Sequence, residues 1–241
     1  MSEAPKPQAP ARRFYTSASA EAAGGGFGVA LDGRALKTPG GAPFRVPTHA
    51  LAAACAAEWG SQGALIVGAS MPMTQLGFAA IDWTARDRQA RIDYVAKFGE
   101  TDLCCHRADA PAALVARQAA VWDPLTAWSA RTLGIELAVV TGVVAAPGVP
   151  ATLDKIRAKA AVLDDFRLTA LAQAAGLSGS ALIAFALLMG EIDANRAFEA
   201  AALDDLWSLE RWGEDAEARA RLVRVRNEFE ALAAFIATLS A

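Results

Sequence analysis

The run from Ala181 to Met189, ALIAFALLM, constrains the fold more than any other stretch of this chain. It carries no polar side chain, so a helix built from it has no face suited to water. It also falls far short of the ~20 apolar residues that a membrane span requires. What remains is a helix enclosed by other helices, capped by Ser178 or Ser180 and ended by Gly190. The neighbouring sequence supplies the walls. Leu153, Ile156, Ala160 and Leu163 make one apolar stripe, residues 165–175 a helix closed by Gly176, and residues 194–211 another. Over residues 214–239, Ala218, Leu222, Val225, Phe229, Leu232, Ile236 and Leu239 recur at alternating four- and three-residue steps. That seam is too short for a free coiled coil and suits packing inside a bundle.

Composition points the same way. Of 241 residues 54% are hydrophobic but only 7% aromatic, so much of the apolar content is alanine, the best helix former. A net charge of -3 without a basic block argues against nucleic acid as a partner. Three cysteines, Cys55, Cys104 and Cys105, two of them adjacent, do not make a disulfide framework and fit a reducing compartment. Residues 1–11 are Pro- and Ala-rich and read as a loose tail without the apolar core of a signal peptide. A cytoplasmic protein that does not insert into membranes is expected.

The first part of the chain is different. Residues 13–17 read as a short strand and Gly24-Gly25-Gly26 as a turn. Asp32-Gly33, between residues 27–31 and 34–37, is a type I′ hairpin signal, since both residues tolerate positive φ. Residues 44–46 and 65–67 are further strand candidates, with a helix capped by Thr48 between them, and Met71-Pro72-Met73 reads as an extended crossing. Helical spacing then runs over residues 74–98, and from Pro111 to Leu133 with a break or kink at Pro124. Pro147–Pro150 reads as a linker. The pattern predicts an α+β protein: residues 12–72 a small β-rich domain, whose sheet strands at 103–107 and 135–140 are candidates to join, and residues 73–241 a larger all-helical domain.

No motif makes a convincing active site. Gly24–Gly28 has neither the Gly-Lys-Ser/Thr of a Walker loop nor a helix after it, since a strand follows instead. Cys104, Cys105 and His106 alternate faces if they lie on a strand, and the only other histidine is His49, so neither a metal set nor a Cys–His pair is complete. A carboxylate enzyme using Asp82 and Asp102 is the alternative left by acids near element ends. Glu214, Asp215 and Glu217 suit a helix start. In a helix over 194–211, Asp204 projects to solvent beside Ser208 and Arg211. Asp205 projects inward between Phe198, Leu209 and Trp212, where a buried acid needs a partner. Trp212-Gly213 then forms the corner between two helices.

An ordered set of segments resembles a known family. Arg13-Phe14-Tyr15, LDGRALKTP from Leu31 to Pro39 and Val46-Pro47 come first. Glu58-Trp59 with Gln62, MPMTQL from Met71 to Leu76 and Ala80-Ile81-Asp82 follow. Then come Asp102 with residues 103–107, Gln118, Trp122, Pro124-Leu125, Trp128, and finally Leu203-Asp204 through Trp212-Gly213. Together they are similar to the F1-ATPase assembly chaperones that attend the alpha subunit. The resemblance implies a β-containing N-terminal domain and a helical C-terminal domain. It implies no enzymatic activity, and binding of the unassembled alpha subunit, kept from aggregating until beta joins. No cofactor, no bound metal and a monomeric state are expected besides. The resemblance gives a functional role to the acid at Asp204. His106 stands where the family has Tyr, and Ser208 where it has Gln. A holding protein also needs adaptable apolar surface with a charged rim. Met71, Met73 and Trp207 are the candidates, the competing reading being that they belong to the core.

Overall fold

The computed structural model describes residues 11–142, 149–213 and 215–240. The predicted tail 1–11 (except Ala11), half of the predicted linker 147–150 and Glu214 lie outside them. The chain divides into two compact units, one reaching to Asp82 and including the residues from Thr238, the other spanning Trp83–Ala237. The division thus falls between Asp82 and Trp83 rather than between residues 72 and 73, because Met71 and the helix after it are built into the first unit.

In the first unit β1 (Ala18–Ala23), β2 (Gly26–Leu31) and β3 (Arg34–Ala35) form an antiparallel meander in that order. Gly24 and Gly25, at φ +50° and +89°, turn β1 into β2. Asp32 and Gly33, at φ 48° and 76°, make the expected tight turn into β3. The Asp32 carboxylate also accepts from the backbone N–H groups of Thr16 and Ser17 and from both hydroxyls. Those donors hold its carboxyl down at about 2. They also explain why residues 13–17 are not a strand. Their backbone donors go to a side chain, and the strand begins at Ala18. Residues 44–46 and 65–67 contribute only isolated bridges, Phe27 to Val46 and Arg12 to Leu65.

Against β1 and β2 packs α1 (His49–Gly60), whose N-cap Thr48 accepts from Leu51 N. Val29, Leu31, Phe44, Val46, Leu51, Cys55, Trp59 and Met71 form the core of this unit. Met71-Pro72-Met73 is not an extended crossing. Pro72 opens α2 (Pro72–Ala79), and its first turn is capped from a distance, since the Glu58 carboxylate accepts from Met73 N, Thr74 N and the Thr74 hydroxyl. One wide π turn over Ala80–Thr84 follows. The predicted helix over 74–98 is thereby interrupted, and resumes as α3 (Arg88–Lys97) behind the N-cap Asp87.

Among the described residues the second unit is helical apart from one pair of short strands. Leu103–Cys105 form a 3-10 turn, and β4 (His106–Arg107) pairs in parallel with β5 (Val140–Thr141). These strands do not join the N-terminal sheet. The region between Ile135 and Val140 is mostly irregular, with Ile135 buried. Pro111 caps α4 (Ala112–Trp128), which runs through Pro124 and widens into a π turn over Ser129–Leu133. After β5 come α5 (Pro150–Ala161), α6 (Asp165–Ser178) and α7 (Ala181–Leu188). They continue as α8 (Ala194–Ala201), α9 (Leu203–Trp212) and α10 (Ala216–Thr238). Every residue from Ala181 to Leu187 is buried, and α7 packs on α4, α6 and α8. Ser180 is its N-cap. Gly176 does not end α6, which runs on to Ser178 and closes at Gly179 with φ 68°. Leu222, Phe229, Leu232 and Phe235 on α10 are buried, as is Leu239 just after it, so Phe235 rather than Ile236 of the expected seam turns inward.

Candidate partner-binding site

Helices α8 and α9 are separate because Ala202 adopts φ -100°, ψ 12°. Trp122, fully buried on α4, donates its indole N–H to Ala200 O at 2.9 Å, and Leu203 is buried at the start of α9. These contacts fix the beginning of α9 against α4. Its first turn carries Asp204 and Asp205, where carboxylates complement the helix dipole.

Asp204 is exposed. Its Oδ1 accepts a 2.8 Å hydrogen bond from Gln118 Nε2. Gln118 is buried, and its own carbonyl accepts from Ala108 N at 2.8 Å. A neutral, rigid amide therefore orients the carboxylate, and no cation neutralises it among the described residues. One turn on, the Ser208 hydroxyl bonds Asp204 O. Arg117 on α4 makes a two-point ion pair with Glu210, at 2.5 and 2.9 Å. The half-buried Trp207 ring lies near two guanidinium groups, Arg117 at 5.9 Å and Arg211 at 5.6 Å from its centroid. Asp204, Trp207, Ser208 and Arg211 thus share one surface of α9, together with Arg117, Gln118 and Glu210. The expectation for Asp204 placed it in solvent beside Ser208 and Arg211 and did not include Gln118. Its bond to Gln118 joins positions far apart in sequence and leaves no local signal.

The companion readings change. Asp205 is not inward: its side chain is 47% exposed and pairs with Arg221 on α10 at 2.9 Å. Trp212 is 85% exposed, so it is not a buried wall for Asp205. Both follow from the break at Ala202, which resets the helical phase and takes Phe198 off the helix that carries Asp205. Gly213, at φ 88°, does end α9 and turns the chain towards α10. Met71 is only 2% exposed and belongs to the core of the first unit, which removes it from the candidate surface. Met73 is half-buried on α2.

The other reactive-looking groups serve the fold. Asp102 is buried in the second unit and accepts from Ser180 Oγ at 2.6 Å, Cys104 N at 3.0 Å and Leu182 N at 3.1 Å. It binds the turn after α3 to the start of α7, and burial pushes its pKa up. Asp82, buried in the first unit, accepts from Thr38 Oγ1 at 2.7 Å and Gly40 N at 2.8 Å. Each of these carboxylates staples a loop within its own unit. Burial pushes the Cys55 and Cys105 thiols up to about 12 and the Cys104 thiol well up, so none offers a thiolate at neutral pH. Among the described residues no group of three His, Cys, Asp or Glu side chains could hold a metal ion, and no helix is long and apolar enough to cross a membrane.

The polar, aromatic-bearing face of α9 carries residue types favoured on recognition surfaces. Residues 12–130 match the family model for the ATP12 chaperone protein. The chain is 26% identical over 226 residues to the mitochondrial protein atp12 of Schizosaccharomyces pombe, covering 88% of this chain and 78% of that one. The crystal structure of Atp12 from Paracoccus denitrificans is 40% identical, with a TM-score of 0.89 over 95% of this chain and 98% of that one. A mutant of the same Paracoccus protein gives 39% identity, with the same TM-score and coverage. The chain belongs to the ATP12 chaperone family, the non-enzymatic F1 assembly family that its sequence resembles.

Proposed function

We propose that this chaperone binds the unassembled alpha subunit of F1-ATPase, as a monomer in the cytoplasm, and keeps it from aggregating until beta joins. We place the contact on α9, with Asp204, Trp207, Ser208 and Arg211 facing the subunit. The observation that carries this reading is Asp204 itself. It is an exposed carboxylate, aimed by a buried glutamine that contributes no charge. A group held that rigidly and left without a counter-charge is suited to meet a cation on another molecule. Trp207 and Arg211 are residue types favoured at binding hot spots.

The test is light scattering of isolated alpha subunit with and without the purified chain. Suppression of aggregation is expected, and Asp204→Lys should weaken it at least about tenfold while leaving helicity at the wild-type level, with a stability loss of about 1–3 kcal/mol because Gln118 Nε2 loses its acceptor. If the wild-type chain leaves aggregation unchanged, the proposal fails. A lysine variant with lost helicity would instead make Asp204 structural. Sedimentation checks the monomer, since association through α10 would show as a dimer.

A further inference from the structure

The α9 face ends in a corner to which the preceding reading gives no task. Residues 210–213 and 215–217 are all exposed, and the first buried residue of α10 is Leu222. Trp212 stands in this corner with 85% of its surface in solvent. Among the described residues its ring stacks on nothing and its indole N–H bonds nothing. Trp207, one turn back, contrasts with it, lying near Arg117 and Arg211. A large aromatic surface left in water at a helix end is unfavourable unless something covers it. The protein does not need the ring for its own packing.

The charges around it are incomplete in a matching way. Among the described residues Arg211 makes no ion pair, and its guanidinium lies over the Trp207 ring. Asp204 has only the neutral Gln118 as partner. The two lie seven residues apart on α9, about 10 Å along its axis and on one face, with Trp212 immediately beyond Arg211. The surface therefore presents a negative group, a positive group and then an uncovered aromatic ring at the end of α9.

We propose that Trp212 is the anchor of the chaperone's interface, entering an apolar hollow on the F1 alpha subunit. The rim of that hollow offers an acidic group to Arg211 and, about two helical turns away, a basic group to Asp204. A carbonyl inside it accepts the indole N–H. This rests on the proposal that α9 meets the alpha subunit, and adds which residue carries the affinity and what the subunit must present. A single aromatic anchor with a polar rim also suits a chaperone that must let go, because few contacts then carry most of the affinity.

The experiment is a binding titration of the full-length chain on immobilised, isolated alpha subunit. Trp212→Ala should weaken binding at least about tenfold, in the range of hot-spot tryptophans, and Trp212→Phe should restore most of it. Arg211→Glu should weaken binding by a smaller factor. The thermal midpoint of the free Trp212→Ala variant should stay at the wild-type value, because the ring is uncovered. Binding within a factor of two of wild type would overturn the anchor while leaving alpha-subunit binding intact. A large fall in the thermal midpoint would overturn it too, by making the ring structural. If the wild-type chain does not bind the subunit, both this proposal and the one beneath it fall.

Discussion

The carboxylates of this protein fall into two groups whose surroundings could hardly differ more. Glu58, Asp82 and Asp102 are surrounded by donors from their own unit, chiefly backbone N–H groups and the hydroxyls of Thr74, Thr38 and Ser180. Each ties a loop or a helix start to another element. Asp204 and Asp205 lie on α9 with solvent on one side, one oriented by an amide and the other paired with an arginine. Both groups include residues of the motifs by which the family is recognised. Motif membership therefore says little about role, and the source of the hydrogen bonds says a good deal. A carboxylate saturated by its own fold is a staple, and one oriented but unsaturated is available to a partner.

The contrast can be broken by mutation, and the largest effect is expected at Asp102. Asp102→Ala strands the Ser180 hydroxyl and two buried N–H groups, which should cost about 3 kcal/mol or more, at about 1–3 kcal/mol per unsatisfied buried group. Urea denaturation measures it. Because burial raises the folded-state pKa of Asp102, its contribution is fully present below the unfolded value of 3.8 and declines as pH rises through the folded value. The stability gap between wild type and Asp102→Ala should therefore widen as pH is lowered. A gap that narrows would mean the charged form is the favoured one.

Glu58→Ala comes next. It removes the acceptor for the first turn of α2, and a loss of about 1–2 kcal/mol is expected from a missing helix cap. Hydrogen exchange at Met73 and Thr74 should rise with it; unchanged protection there would show that α2 is held by packing alone. Smallest is Asp205→Ala. Its bridge to Arg221 has half of each side chain exposed, and such pairs contribute about 0–1 kcal/mol. A loss in denaturation well above that range would place Asp205 with the staples after all. Together with the binding defect expected of Asp204→Lys, the series separates residues that hold the fold from the one that faces outward.

How far the sequence could be read depended on the distance over which each interaction acts. The Asp32-Gly33 turn, the Thr48 and Ser180 caps and the enclosure of α7 were legible, since each depends on residues within a few positions. Helix boundaries failed where something remote intervened. Gly176 looks like a terminator, but it lies inside α6, where a Cβ would sit 2.7 Å from the Tyr94 hydroxyl oxygen. The glycine lets the Tyr94 hydroxyl come close there and does not mark an end. Residues 13–17 look like a strand until the Asp32 carboxylate takes their N–H groups. At the candidate site, exposure of Asp204 was legible from helix projection. That of Asp205 and Trp212 was misjudged, because nothing in the alanine-rich stretch before Leu203 announces that the helix stops and restarts.

By itself, then, the sequence determined the α+β class, the central buried helix, the tight turns and the family. All of these rest on local conformational preference, apolar periodicity or the order of motifs along the chain. Only the tertiary structure decided that Met71 is core, that Glu58 caps a helix it does not belong to, that Gln118 aims Asp204, and that Trp212 stands uncovered. Those outcomes depend on which distant surfaces meet, and a residue's burial is a property of what packs over it rather than of its own side chain.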